Sequence, residues 1–268
     1  MGYRRKIYYV ILITVTAACV LAGTARHMLG MGSNRRNIFG MTETESSQSI
    51  SSDSSSGEYK DDLSRFLSID ISGSAADIVL KYGKGYSISG SYSHDMKPVY
   101  KVDHNKLTIS QVDASEEHIL GVRDSDCVMT ITVPEGAYLS TVGVSLDIGD
   151  VSFGNLKANS FNIHVGTGNI LADGADMTSG EIGADTGMCR LSDMHFANLA
   201  ITSGSGDVTL TSSDSLTGCT MELTTDVGDV KVFGTSHYTK YEYKSSGGRS
   251  LTVSSQTGNV TVDSADTD

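Results

Sequence analysis

The sequence predicts an all-β chain: a β-solenoid-like stack of about seven two-strand rungs, with an antiparallel hairpin insertion and an N-terminal membrane segment ahead of it. Three observations predict it. A Gly-(Asp/Asn)-(Val/Ile) frame recurs at Gly149, Gly168, Gly206, Gly228 and Gly258, with a degenerate copy at Gly187-Met188-Cys189; the marker glycines are spaced by 19, 19, 19, 22 and 30 residues. Apolar residues flank each marker at intervals of two, the period of a strand with one buried face. With 29 glycines, two prolines, no tryptophan and abundant Ser, Thr and Val, the composition suits many short strands with polar outer faces.

Taken in order, the chain divides into residues 1–25, a signal-anchor or signal peptide; 26–62, a serine-rich tether; 63–262, the β-repeat domain; and 263–268, an acidic tail. Arg4-Arg5-Lys6 precede 17 uncharged residues, Ile7 to Gly23, at the short end of what spans a bilayer. The cations place the N-terminus in the cytoplasm and send the rest outward. An uncleaved anchor in the cell membrane is the first reading; cleavage after Ala25, which would release the chain, and lipid attachment at Cys19 are the alternatives. Within Thr42–Gly57 eight of sixteen residues are serine, too polar to offset the entropy of ordering.

In the repeats, the positions two and four after each marker read Val151/Phe153, Ile170/Ala172, Cys189/Leu191, Val208/Leu210, Val230/Val232 and Val260/Val262. Five and seven before it stand Val144/Val142, Ile163/Phe161, Ile182/Gly180, Ile201/Leu199, Leu223/Met221 and Val253/Leu251. The same register with Ala76 as marker fills the four sites with Ile69, Ile71, Ile78 and Leu80, which adds a first rung near Arg65–Tyr82. Each unit is a strand, a glycine corner and a strand. A lone unit cannot enclose a core, so successive units are expected to stack in sequence order. A hairpin-type β-sandwich is the alternative arrangement.

Between Ala76 and Gly149, four segments have strand composition: Tyr86–Tyr92, Val99–Val102, Leu107–Ser110 and Cys127–Val133. They are expected to be antiparallel and to cap one end, with a hairpin turn at Val102–Leu107 and a charged loop over Asp113–Asp126. The degenerate Gly187 copy and the stretched spacing before Gly258 mark the third and last rungs as irregular. Asp263, Asp266 and Asp268 are placed to guard the edge of the last rung against end-to-end stacking.

Few residues invite chemistry. The turn column Asp150, Asn169, Asp207, Asp229 and Asn259, with Asp147, Asp185 and Asp226 two residues before their glycines, could offer oxygens to Ca²⁺. The spacing matches no calcium-binding repeat, and Asp and Asn also suit turns by hydrogen-bonding local backbone. No metal or cofactor is therefore assigned. The histidines His27, His94, His104, His118, His164, His195 and His237 form no ligand pattern, and His164 is expected to face outward. No nucleophile and base share a motif, so no catalytic residue is assigned. Cys127, Cys189 and Cys219 read as buried free thiols, with Cys189 and Cys219 too far apart to bridge. The net charge of −12 excludes a nucleic-acid partner.

Four segments together resemble the bacterial putative-adhesin family, also called toast-rack or β-strand-repeat domains of unknown function: Ser203-Gly204-Ser205-Gly206-Asp207-Val208-Thr209-Leu210, Phe66-Leu67-Ser68-Ile69-Asp70-Ile71, Tyr86-Ser87-Ile88-Ser89-Gly90-Ser91-Tyr92 and Val128-Met129-Thr130-Ile131-Thr132-Val133-Pro134. The resemblance implies an extracytoplasmic, membrane-tethered, non-enzymatic domain, adhesin-like, whose partner is a surface protein or cell-wall glycan. It implies as an alternative an envelope-stress sensor contacting membrane partners. A glycan-active β-helix enzyme is a third reading; it would need a groove with placed acid and base.

Overall fold

The computed structural model describes residues 56–93, 96–111 and 127–265. The membrane segment, most of the tether, Cys19, His27, His94, His118 and the loop 113–126 lie outside the described residues. Residues 52–268 form a compact unit of their own. In chain order its strands are β1 (Gly57–Asp62), β2 (Ser68–Ala75), β3 (Asp77–Gly83), β4 (Ser87–Tyr92), β5 (Val99–Asp103), β6 (Lys106–Ser110) and β7 (Val128–Pro134). The repeats follow with β8 (Tyr138–Ile148), β9 (Val151–Gly154), β10 (Lys157–Thr167), β11 (Ile170–Asp173), β12 (Asp176–Thr186), β13 (Cys189–Ser205) and β14 (Val208–Ser212). The chain ends with β15 (Cys219–Val227), β16 (Val230–Val232), β17 (Thr235–Ser236), β18 (Lys240–Tyr243), β19 (Arg249–Thr257) and β20 (Val260–Ser264).

These strands make two facing sheets. One runs β5-β6-β2-β8-β10-β12-β13-β19-β15-β18. The other runs β1-β4-β7-β3-β9-β11-β13-β14-β20-β16-β17. The long β13 belongs to both, contributing Cys189–Met194 to the second sheet and His195–Ser205 to the first. Pairing is parallel throughout the repeats, which fits strands linked by corners into successive rungs.

The inward columns read from the sequence are the core. Ile69, Ile71, Ile78 and Leu80 are buried, as are Val151, Ile163, Ile182, Val208, Leu210 and Val260. The corner glycines stack directly on one another, and the position of the carbonyl beneath shows the order of rungs. An added Cβ would lie 2.0 Å from Ala76 O at Gly149, 2.0 Å from Gly149 O at Gly168, 1.9 Å from Gly168 O at Gly187 and 1.9 Å from Gly187 O at Gly206. Gly258 then faces Gly206 O and Gly228 faces Gly258 O. Ala76 therefore does occupy the marker position. Gly180, the one gap in the inward columns, is filled from the side by Met177 Sδ and a methyl of Leu199.

Four expectations change. First, rungs do not stack in sequence order: the last copy, β19/β20, inserts between β13/β14 and β15/β16. The 22-residue step carries the chain past one slot, and the antiparallel β17 and β18 return it to fill that slot. Second, the insertion is antiparallel only in part. β5 and β6 form the expected hairpin, with His104 and Asn105 at positive φ in the turn, but β6 and β7 run parallel to β2 and β3 and make an eighth rung. Third, the Gly187 corner itself is regular, with φ +143, and the irregularity of that rung lies further along, where β13 shifts register against β14 between Leu191 and Met194. Fourth, Asp263 does not guard an end, because β20 is paired on both sides, Val262 lying between Leu210 and Val232. The exposed end is β17 and β18.

Cys127, Cys189 and Cys219 are free and buried, as expected. The inserted rung sets Cys189 and Cys219 three rungs apart and in opposite sheets. Burial pushes the Cys189 thiol up to about 11, against a smaller lowering by a backbone hydrogen bond at Ala184. Burial also raises Cys219, opposed by Arg249. A folded-state value above the unfolded 9.0 means stability is fully present below pH 9 and is lost as pH rises through it towards 11. The melting temperature is expected to fall over that window, Cys189 contributing about 2 kcal/mol of the loss. Cys189→Val, which matches its stacked neighbours Ile170 and Val208, should flatten the fall; an unchanged slope would show that Cys189 does not carry the pH dependence.

Candidate functional site

The turn column lines one corner of the stack with side-chain oxygens. Its side chains bond the backbone of the next rung. Asp77 Oδ1 accepts from Asp150 N at 2.9 Å, Asp150 Oδ1 from Asn169 N at 2.6 Å, and Asn169 Oδ1 from Met188 N at 3.0 Å. Past Met188, which has no side-chain oxygen to continue the series, Asp207 Oδ1 accepts from Asn259 N at 2.7 Å and Asn259 Oδ1 from Asp229 N at 3.1 Å. The Asn169 amide also donates to Asp150 Oδ1 at 3.1 Å. This ladder satisfies corner amides and fixes rung spacing. The expected local turn bond is instead a bond between neighbouring rungs.

Asp147, Asp185 and Asp226 stand on the outer surface of the first sheet. Register places Gly166 between Asp147 and Asp185, and Gly204 beyond Asp185. Asp147 and Asp185 are thus two rungs apart, about 10 Å, and Asp226 lies three rungs beyond Asp185, too far to share one cation. Among the described residues no three His, Cys, Asp or Glu side chains gather as a metal site.

His164 faces outward as expected, its Nε2 3.7 Å from Asp185 Oδ2. His195 belongs to a feature that sequence reading missed, a row of alternating basic and acidic side chains along the start of the first sheet. Lys157 Nζ lies 3.5 Å from Asp176 Oδ2, His195 Nε2 3.9 Å from Asp176 Oδ1, and His195 Nδ1 in close contact with Asp214. Arg249 Nη2 completes the row 3.5 Å from Asp214 Oδ2. Arg249 is itself fixed by donation to Phe196 O and Ser215 O, both at 3.0 Å, and lies 5.1 Å over the Phe196 ring. The spacing of 19 between Lys157, Asp176 and His195 was the signal. The row joins rungs at a corner and presents no nucleophile.

The outer face of the first sheet carries a hollow of about 720 Å³. Two stacked columns make it. One reads Asp70, Gly143, Asn162, Glu181, Ala200; the other reads Ser72, Ser145, His164, Gly183, Thr202. Gly143, Gly183 and Ala200 leave outward positions nearly empty, while Asp70, Asn162, His164, Glu181 and Thr202 supply the walls. Lys106 closes one side through its 2.6 Å ion pair with Asp70. The hollow is shallow, with polar side chains standing over a lining that is more apolar than polar, and every wall residue stands on a strand paired on both sides. Its two carboxylates, Asp70 and Glu181, stand three strand spacings apart in one column, about 14 Å, beyond the roughly 5–9.5 Å that glycoside cleavage requires.

Two parallel-paired sheets closed by stacked glycine corners define a β-repeat scaffold of the toast-rack kind. The chain belongs to the Toastrack DUF4097 family, whose model matches residues 66–268. Among solved structures it is similar to a putative cell adhesion protein from Clostridium sporogenes, with 14% identity, 79% of this chain and 99% of that chain covered, and a TM-score of 0.48. A putative adhesin from Bacteroides fragilis shares 16% identity over 78% of this chain and 97% of that one, with a TM-score of 0.44. A putative lipid binding protein from Parabacteroides distasonis shares 12% identity over 79% and 97%, with a TM-score of 0.35. No curated protein is a significant match.

Proposed function

We propose that this Toastrack protein is a non-enzymatic, adhesin-like binding scaffold, held outside the cytoplasm by its N-terminal segment, whose first sheet takes a cell-wall glycan. The hollow over Asn162, His164 and Glu181 carries the reading. A glycan offers many hydroxyls, each both donor and acceptor, and needs matching groups held in fixed rows. Stacked rungs supply such rows about 4.8 Å apart on strands that cannot shift independently. A wall of amide, hydroxyl, imidazole and carboxylate side chains offers both donors and acceptors to such hydroxyls. The export reading rests on Arg4-Arg5-Lys6 and the apolar run after them.

The test is retention of the full chain, in detergent, on purified peptidoglycan and wall polysaccharide. Gly143→Lys is the informative variant: an added Cβ meets nothing closer than 3.5 Å, so a long side chain can enter the hollow without disturbing the strand. Retention should fall at least tenfold with little change in melting temperature. Equal retention of Gly143→Lys, or none of the native protein on any wall fraction, would remove the proposal.

A further inference from the structure

The stack ends in an unguarded strand. β18 pairs with β15 alone, as an antiparallel neighbour. Thr225 N donates to Thr239 O, so Leu223/Tyr241 and Met221/Tyr243 are the pairs that exchange backbone bonds in the alternating antiparallel pattern. The N–H and C=O of Glu242 and the C=O of Lys240 therefore point away from the sheet, and the Lys240 N–H makes only a long 3.4 Å bond to His237 O. Such an edge is a template for another strand. Exposed apolar surface gathers at the same end: Val227 is 63% exposed, Tyr238 85% and Tyr243 39%.

The side chains on this edge are self-complementary. Lys240 and Glu242 stand on the outer face, and Tyr241 points inward against the core. Lys240 Nζ and Glu242 Oε1 are already 2.6 Å apart within the strand. Placing a second β18 antiparallel, with Tyr241 on the two-fold axis, sets Lys240 opposite Glu242 of the second copy and Glu242 opposite its Lys240. The same register makes these the bond-exchanging pairs, which is what the outward-pointing backbone groups require. Tyr241 then meets Tyr241 of the second copy and covers the open end of both cores. Opposite-charge and aromatic pairs directly across strands are each favourable.

We propose that β18 is a self-pairing edge through which a second copy of this chain docks, giving an isologous end-to-end dimer. An isologous contact closes after two subunits, so the edge is used without running on into a fibre. The geometry has a consequence for a surface protein. Ser56 enters β1, which lies at the opposite end of the stack from β17 and β18. The first sheet is ten strands wide, about 43 Å. A β18-to-β18 pair therefore presents its two Ser56 ends at opposite extremes of the dimer, the arrangement that joins two facing surfaces.

Charge exchange tests the register. The full chain in detergent is examined by sedimentation, alone and as mixtures of tagged variants. The native chain should form dimers. K240E and E242K should each weaken self-association at least tenfold, because each sets like charges opposite one another twice. A mixture of K240E with E242K should form a heterodimer, and the double exchange K240E/E242K should dimerise with itself again. Recovery in either combination shows that the single variants fold. A native chain that stays monomeric at all concentrations overturns the proposal and assigns Lys240 to keeping the edge unpaired. Single variants that dimerise like the native chain, or a mixture that fails to enrich the heterodimer, overturn it as well.

Discussion

Gly168→Ala is expected to prevent folding, or to cost more than about 4 kcal/mol, well beyond the usual range for one substitution. Two effects combine. Gly168 has φ +149, a conformation that side chains avoid. Its Cβ would also lie 2.0 Å from Gly149 O and 2.6 Å from the carbonyl carbon, with backbone on the far side and no flexible group to yield. Relief requires that two rungs separate, and rung contact is what the corner secures: Gly149 N donates to Thr167 O and Gly168 N to Thr186 O, both at 2.9 Å. Asn169 N to Asp150 Oδ1 would lengthen with them. Ala76 shows what the column tolerates, for it begins the series without a positive φ. Gly85→Ala is the control, with nothing within 4 Å of an added Cβ; it should change stability by less than about 1 kcal/mol. Urea unfolding of both variants decides it. A Gly168→Ala protein with near-native stability would mean that the rungs can slide apart at little cost.

Much of this fold could be read from the residues because the repeat imposes one environment on each column. Period-two flanks of Val, Ile and Leu identified the buried sites, and the same register recovered the Ala76 rung without its glycine. Rung order was not legible, since the inward residues of one copy fit any neighbour: Val260 stacks on Val208 and Val230 alike. Only the steps of 22 and 30 hinted that the chain leaves a slot and comes back. The β6/β7 rung was hidden because the sequence between β6 and β7 lacks the marker frame. At the surface, the Asp/Asn column was visible but the partner of each side chain was not, since bonding to the next rung follows only once rungs are stacked. The hollow needed the outward columns written side by side, which would have exposed Gly143, Gly183 and Ala200 as small residues among polar ones.

Phe161→Ala should cost about 3–5 kcal/mol, the range for removing a buried aromatic. Phe161 is 0% exposed, in mid-stack on β10, with its ring 5.1 Å from Phe153 at 17°, so it spans the gap between the two sheets. The inward column around it is Val142, Phe161, Gly180, Leu199. A large residue beside a glycine leaves little freedom to close a cavity. Met177 and Leu199 already occupy the space over Gly180, and moving them towards the missing ring would empty their own positions. Two-residue connections join β10 to β9 and to β11 of the other sheet and hold the two sheets at fixed separation, so collapse cannot repair the loss. Phe161→Leu keeps much of the volume and should cost about 1–1.5 kcal/mol. Position in the stack sharpens the test. A β-repeat array is stabilised largely by nearest-neighbour contacts between rungs, and Phe161 joins β8/β9 to β12/β13. Denaturation of Phe161→Ala followed by two probes, one towards each end, should lose its coincidence, because the weakened rung divides the array into two stacks that melt separately. Coincident transitions displaced to lower urea would show instead that the array folds as one cooperative unit despite its repeats.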